Sequence, residues 1–369
     1  MRQFSQAASS WPHAPIFCSE LARQHDVCHM ASAVGAVSRT AILSETPTTM
    51  SLRIALLGTG EFALPSFRAL MKSSAHDVVG VCTQPDRTGR GHHRHVNPVK
   101  IVAEAFGVPV FQPERVNTPE SLSVLRELNA DVFVVAAYGQ IMKPDFLAIP
   151  RLGAFNLHGS LLPRHRGAAP VQYAIWKGDE QTGVTMFQIE PALDSGPMVG
   201  KVETSIQPGE TSGTLMLRLA DLSAELTLTV LDQLDRATAV FEPQDPSHVT
   251  LAPKLRKEDG IIDWKQTATQ VERQVRAMQP WPKAVTWLHS AGRKPVRCIL
   301  SQIAVVADSA ASGSRPGAIA ILDRNMFVSC GSGRIHIVKL QPEGKGAMDA
   351  GDFANGYKLS DDACFGSAT

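Results

Sequence analysis

Residues 153–170 read Gly153-Ala-Phe-Asn-Leu-His158-Gly-Ser-Leu-Leu-Pro163-Arg-His-Arg-Gly167-Ala-Ala-Pro170, a short apolar run that breaks into a basic loop punctuated by glycine and proline. The first part has the length and composition of a buried strand over 153–157. Side chains two apart on a strand share a face, so Asn156 and His158 project together where this strand ends. Open α/β sheets place their ligand crevice at the C-terminal ends of the strands. An amide donor beside an imidazole suits acyl-type transfer: the amide donates to an oxygen becoming negative, and the imidazole supplies a proton or stabilises charge. A carboxylate that orients the imidazole is available from Asp194, in the turn Ala192-Leu-Asp194-Ser-Gly196. By spacing alone, Asn-x-His at a strand end is more often a hydrogen-bonded turn than a catalytic site, and Asp-Ser-Gly is commoner still as plain turn chemistry. Both readings stay open at this point.

Outward from this stretch, strand-like apolar runs (52–57, 78–83, 108–111, 131–136) alternate with helical spacing (62–73, 97–106, 118–129). Apolar runs without polar alternation, interleaved with helices, argue for a parallel sheet covered on both faces. The expected fold class is α/β, a doubly wound, mostly parallel sheet that continues through strands near 182–189 and 198–204. A long amphipathic helix follows over 212–235, capped by Thr211 or Ser212. Residues 238–255, with Pro243, Pro246 and Pro253, read as a linker. Beyond it a helix over 267–278 and five short strands near 284–289, 295–305, 317–322, 326–330 and 334–340 predict a small OB-like β-barrel. The expected organisation is thus an N-terminal extension over 1–50, a catalytic domain over 51–237, the linker, a barrel over 256–345 and a tail over 346–369. The extension lacks periodicity and reads as disordered. Glu20, Asp26 and Glu45 argue against a transit peptide, and the domain is expected to begin near Met50, itself a candidate start.

Charge is unevenly spread. Residues 51–250 hold 17 Lys and Arg against 21 Asp and Glu, whereas residues 251–345 hold 15 against 7. A basic module behind an acidic one points to an anionic partner for the second, although solvated surfaces drift this way as well. The six cysteines contain no C-x-x-C pair and fit reduced thiols in the cytoplasm. No apolar run approaches the roughly 18 residues of a membrane span.

Gly58-Thr-Gly60-Glu-Phe-Ala63 satisfies G-x-G-x-x-A, with Asp86 near the place of an acidic ribose ligand. The context argues against a dinucleotide, because Asp86 lies in a turn entering the basic loop Thr88–His95. The cluster His92-His93-x-His95 has no carboxylate or cysteine neighbour, and no metal is expected there.

Asn156-Leu-His158 with Ser160-Leu-Leu-Pro163, followed by Leu193-Asp194-Ser-Gly196, resembles the signature of the folate-dependent formyltransferases. Gln84-Pro-Asp-Arg87, Gly89-Arg-Gly91, Ala137-Tyr-Gly-Gln140, Arg166-Gly-Ala-Ala-Pro170, Thr211-Ser-Gly213, Ile262-Asp-Trp264 and Pro280-Trp-Pro282 narrow the likeness to the methionyl-tRNA formyltransferases, over about 52–345. Three departures stand out: Gly60 where the family tends to have proline, histidines in the basic loop where it tends to have lysines, and the tail after 346 with its end Asp361-Asp-Ala-Cys-Phe-Gly.

The resemblance implies Asn156, His158 and Asp194 as the catalytic set, with Ser160, Leu161, Leu162 and Pro163 in a tetrahydrofolate pocket. It implies transfer of the formyl group of 10-formyltetrahydrofolate to the amino group of initiator methionyl-tRNA, without a metal, by a monomeric cytoplasmic protein. It also implies that Arg90 and Arg94 of the basic loop meet the tRNA. Three rivals carry different expectations. A glycinamide ribonucleotide formyltransferase would leave the barrel unexplained. A sugar-nucleotide formyltransferase fits the Gly-Arg-Gly loop poorly. A non-catalytic RNA-binding protein would leave Asn156, His158 and Asp194 without a purpose.

Overall fold

The computed structural model describes residues 51–88, 94–306, 314–360 and 362–368. The expected extension over 1–50 and the loop residue Arg90 lie outside them. The chain runs through β1 (Arg53–Gly58), α1 (Leu64–Lys72), β2 (Asp77–Cys82), β3 (Arg87–Thr88), β4 (Arg94–His95), α2 (Pro98–Ala105), β5 (Val110–Phe111) and α3 (Pro119–Glu127). It continues through β6 (Val132–Ala136), α4 (Pro144–Leu147), β7 (Ala154–His158), α5 (Pro170–Lys177), β8 (Gln181–Gln188), β9 (Met198–Ser205) and α6 (Ser212–Asp235).

Strands β1 and β6 are buried along almost their whole length, as strands covered on both faces must be. The sheet order is β5-β2-β1-β6-β7-β8-β9. Strands β5, β2, β1, β6 and β7 pair parallel, while β8 and β9 pair antiparallel. Alternation divides their side chains between two cores. Ile54, Leu56, Val134 and Leu157 join Phe67 and Leu70 of α1 and Leu215 and Leu219 of α6, whereas Ala55, Leu57, Phe133 and Val135 join Leu122 and Leu125 of α3. Helix α6 starts where the sequence places it, with Thr211 in a capping box with Thr214. It packs against α1 through small hydroxyl residues, Ser66 lying 2.7 Å from Ser223 and 3.2 Å from Thr227, which satisfy one another inside the core.

The second module comprises α7 (Ala268–Ala277), β10 (Ala284–His289), β11 (Val296–Val306), β12 (Ile319–Leu322), β13 (Asn325–Ser329), β14 (Arg334–Pro342), β15 (Met348–Asp349), α8 (Ala350–Tyr357) and β16 (Cys364–Gly366). Its antiparallel order is β12-β13-β14-β11-β10-β16, and a bridge between Ala318 and Cys364 draws the two edges together into a barrel. The five expected strands are present. Residues 346–369, read as a tail, add an edge strand and a helix whose Phe353 is fully buried.

Residues 238–255 are a strap laid on the first module. Met198 and Glu242 exchange backbone hydrogen bonds of 2.8 Å, and Arg166 is bracketed by Thr250 and Ala252 at 2.9 and 2.8 Å. The sequence suggests only an irregular connection here.

Truncating a fully buried phenylalanine removes its transfer energy and leaves a cavity, together about 3–5 kcal/mol. Phe353→Ala is therefore expected to lower the denaturant midpoint of the barrel well below that of the unsubstituted protein. An unchanged midpoint would show that α8 contributes nothing to the second core.

Candidate active site

The site forms where β7 ends at the C-terminal edge of the parallel strands. Strand β7 is flanked by β6 and β8, pairing Asn156 with Val135 on one side and Phe187 on the other. Two residues on, His158 is 5% exposed, with its ring edge-on to Phe187 at 6.3 Å between centroids. Asn156 is half-buried, and its side-chain amide makes no hydrogen bond among the described residues.

Two loops enclose the imidazole. His158 Nε2 lies 2.9 Å from the backbone oxygen of His165. A carbonyl only accepts, so Nε2 carries the proton and Nδ1 holds the free lone pair. Nδ1 faces Asp194, whose Oδ2 lies 3.8 Å away, beyond hydrogen-bond range. Burial pushes the His158 pKa below its ordinary 6.5, while the Asp194 carboxylate and the His165 carbonyl pull it back up without overcoming burial. The ring is therefore neutral at pH 7, and its basic nitrogen points at a carboxylate.

Asp194 is held in a left-handed conformation, φ +44°, in the turn after β8. Its Oδ2 accepts a 2.7 Å hydrogen bond from the Gly167 backbone N–H. Gly167 has φ +125°, and a Cβ there would lie 2.6 Å from the Ala252 oxygen, so only glycine offers this donor. Gly196 is equally constrained: a Cβ would sit 1.8 Å from the Gln188 oxygen. His165 is itself fixed. Its N–H donates to Thr250 Oγ1 at 2.8 Å, and its Nε2 lies 2.7 Å from Asp179 Oδ2. Burial raises the Asp179 pKa, but the His165 hydrogen bond and the Arg164 guanidinium outweigh it, leaving the carboxyl below its usual range.

Thus Asn156, His158 and Asp194, named from the sequence, are brought to one end of the sheet. The 160–163 run divides. Ser160 is buried and donates to the Arg164 oxygen at 2.7 Å, and Leu162 is buried with its N–H on Thr185 Oγ1, so both hold the turn. Leu161 and Pro163 keep exposed surface. Arg94 lies on the β3–β4 hairpin, which leaves the sheet from the same C-terminal end through β2. The sequence reading missed His165, Thr250 and Gln244. Their signal was hidden because each acts through a backbone group or on one.

After β2, Asp86 is occupied. Its carboxylate takes Gln112, Lys100 and the Asn97 N–H at 3.1–3.2 Å, and these hydrogen bonds hold its pKa well below the usual range. A ribose has no free carboxylate to meet there. Among the described residues no group of three His, Cys, Asp or Glu is placed to hold a metal ion.

A buried imidazole between a carboxylate and a carbonyl, beside an amide without a hydrogen-bond partner among the described residues, is an arrangement that suits group transfer, and here a barrel follows it. Residues 52–231 match the family described as formyl transferase, and residues 254–358 match the formyl transferase C-terminal domain. The chain belongs to the formyl transferase family.

Three solved structures share its architecture. WlaRD, a sugar 3N-formyl transferase, is 14% identical with a TM-score of 0.58, over 80% of this chain and 100% of its own. An N-formyltransferase from Helicobacter canadensis, complexed with folinic acid and dTDP-3-aminofucose, is 16% identical with a TM-score of 0.58, over 79% of this chain and 99% of its own. HypX from Aquifex aeolicus in complex with tetrahydrofolic acid is 15% identical with a TM-score of 0.54, over 84% of this chain. This chain spans about half the length of HypX, 48%. At these identities the likeness is one of fold.

Because the unfolded imidazole titrates near its ordinary value and the folded one below it, protons favour the unfolded chain, and stability is lost as pH falls through 6.5 toward the folded value. A titration of ¹⁵N-histidine followed by NMR is expected to place His158 below 6.5, and lower still in Asp194→Asn, which removes the upward pull. A His158 value above 6.5 would contradict this account of the site.

Proposed function

We propose that the protein transfers the formyl group of 10-formyltetrahydrofolate to the amino group of initiator methionyl-tRNA. The observation that carries the chemistry is the buried His158 ring, with Nε2 on the His165 carbonyl and Nδ1 toward Asp194. The acceptor amine attacks the formyl carbon, forming the new C–N bond and an oxyanion. Asn156 donates its free amide to that oxygen. His158 takes the amine's proton on Nδ1, becoming an imidazolium paired with Asp194 and placing positive charge beside the oxyanion. Collapse breaks the bond from carbon to folate N10, which receives the proton, directly or through water. The products are the formylated amine and tetrahydrofolate, and no electrons are gained or lost. Leu161 and Pro163 are the members of their run with surface to offer the folate, while Ser160 and Leu162 keep the turn in shape.

The tRNA half of the reading rests on different support. The excess of 15 basic over 7 acidic residues in 251–345 suits a phosphate backbone. The β3–β4 hairpin that carries Arg94 follows β2 at the crevice end of the sheet, so an acceptor end reaching the site would pass it. A second reading, an amino-sugar nucleotide as acceptor, is favoured by the sugar N-formyltransferases that match over most of this chain. Their two-module extent means that the barrel by itself does not choose between acceptors.

Single-turnover transfer of labelled formyl, with charged initiator tRNA, an amino-sugar nucleotide and glycinamide ribonucleotide in competition, decides the acceptor. Label on the tRNA is the expected result, and label only on a small amine would overturn the tRNA assignment. Asn156→Ala is expected to lower the rate about 10²–10³-fold, as loss of one oxyanion donor does.

A further inference from the structure

Of the strap's side chains that reach the site, Gln244 has its hydrogen-bonding chemistry fully used. Gln244 Nε2 donates to two carbonyl oxygens of the Asp194 turn, Asp194 O at 2.9 Å and Gly196 O at 2.8 Å. Its Oε1 accepts from Arg166 Nε at 3.0 Å and Arg166 Nη2 at 2.7 Å. Arg166 precedes Gly167, whose N–H holds the Asp194 carboxylate. A single half-buried amide thus ties together the two loops that meet at His158 Nδ1.

We propose that Gln244 is a positioning residue for formyl transfer, fixing the Asp194 carboxylate against His158 by clamping the 194–196 turn to the Arg166–Gly167 loop. The inference rests on the reading of His158 and Asp194 given above.

Three physical points carry it. First, the turn needs holding, because Asp194 occupies a left-handed conformation disfavoured for residues with a Cβ. Second, the 3.8 Å separation of carboxylate and imidazole is not maintained by a direct hydrogen bond, so it depends on what fixes each partner. Third, Gln244 is placed from both sides by backbone pairing, at Glu242 with Met198 and at Thr250 to Ala252 with Arg166. The function requires donor and acceptor in one side chain of this length. Glutamate keeps the acceptor and loses the donor, methionine keeps the length and loses both, and asparagine is a methylene short.

The test uses the full chain, 10-formyltetrahydrofolate, and whichever acceptor the competition assay identifies. Gln244→Met is expected to lower kcat about tenfold or more, leaving the KM for the folate within about twofold, as displacement of a catalytic group does. Gln244→Glu, which keeps the Arg166 partner, is expected to lose a similar factor. In an Asp194→Asn background, Gln244→Met should cause no further loss, because the residue acts through Asp194. The His158 titration of Gln244→Met is expected to move to lower pH as the carboxylate drifts from the ring. Equal losses in both backgrounds, or an unchanged kcat, would overturn the proposal. If Asp194→Asn itself keeps the full rate, the catalytic reading of Asp194 fails. The His158 titration then judges the clamp alone, and an unshifted titration overturns it.

Discussion

The structure depends on keeping an ionisable ring uncharged inside the protein. His158 is nearly sealed from water, with one nitrogen spent on a carbonyl and the other turned to a carboxylate that lies too far away to bond it. An imidazole in this position is poised, since the carboxylate stabilises the charged state that burial opposes. The balance lasts only while each flanking group stays in place. Much of the molecule's irregular backbone serves that purpose: left-handed Asp194 and His165, Gly167 at a conformation only glycine adopts readily, and Gly196 with no space for a side chain.

These flanking groups come from parts of the chain far apart in sequence. The ring stands on a strand inside the parallel sheet, where pairing on both sides fixes the direction of its side chain. The carboxylate comes from the turn after the first antiparallel strand, and the carbonyl from the loop after β7. The loop after β7 buries Leu162 against Phe187 and Met198, and the strap over 238–255 adds polar bonds to both loops. The chain leaves α6, crosses both loops and only then enters the barrel. The path to the second module is thereby part of the first.

The parallel core was legible because a strand covered on both faces must be apolar at successive positions, as residues 54–58 and Val132–Ala136 are. Helix α6 was legible from its cap, Thr211, and its spacing. Strand β16 and helix α8 were not. Three residues of strand and a glycine-containing helix gain their stability from tertiary contacts that local pattern does not record. Asn156 and His158 could be placed together from strand geometry alone, whereas joining Asp194 to them across more than thirty residues needed the family resemblance. Gln244 and Thr250 were invisible because, in a proline-rich stretch, a polar residue that bonds another loop's backbone looks the same as a polar residue that faces water.

The family match fixes formyl transfer. What separates one acceptor from another lies in loops and charge, where fold likeness carries little. The account's central claim is that the carbon undergoing transfer sits between Asn156 and His158 at the end of β7. A crystal structure with 5-formyltetrahydrofolate tests it most directly. The expected result is the formyl oxygen within hydrogen-bond distance of the Asn156 side-chain nitrogen, with the formyl carbon beside the His158 ring. A folate bound elsewhere, or with its formyl group turned away from Asn156 and His158, would contradict it.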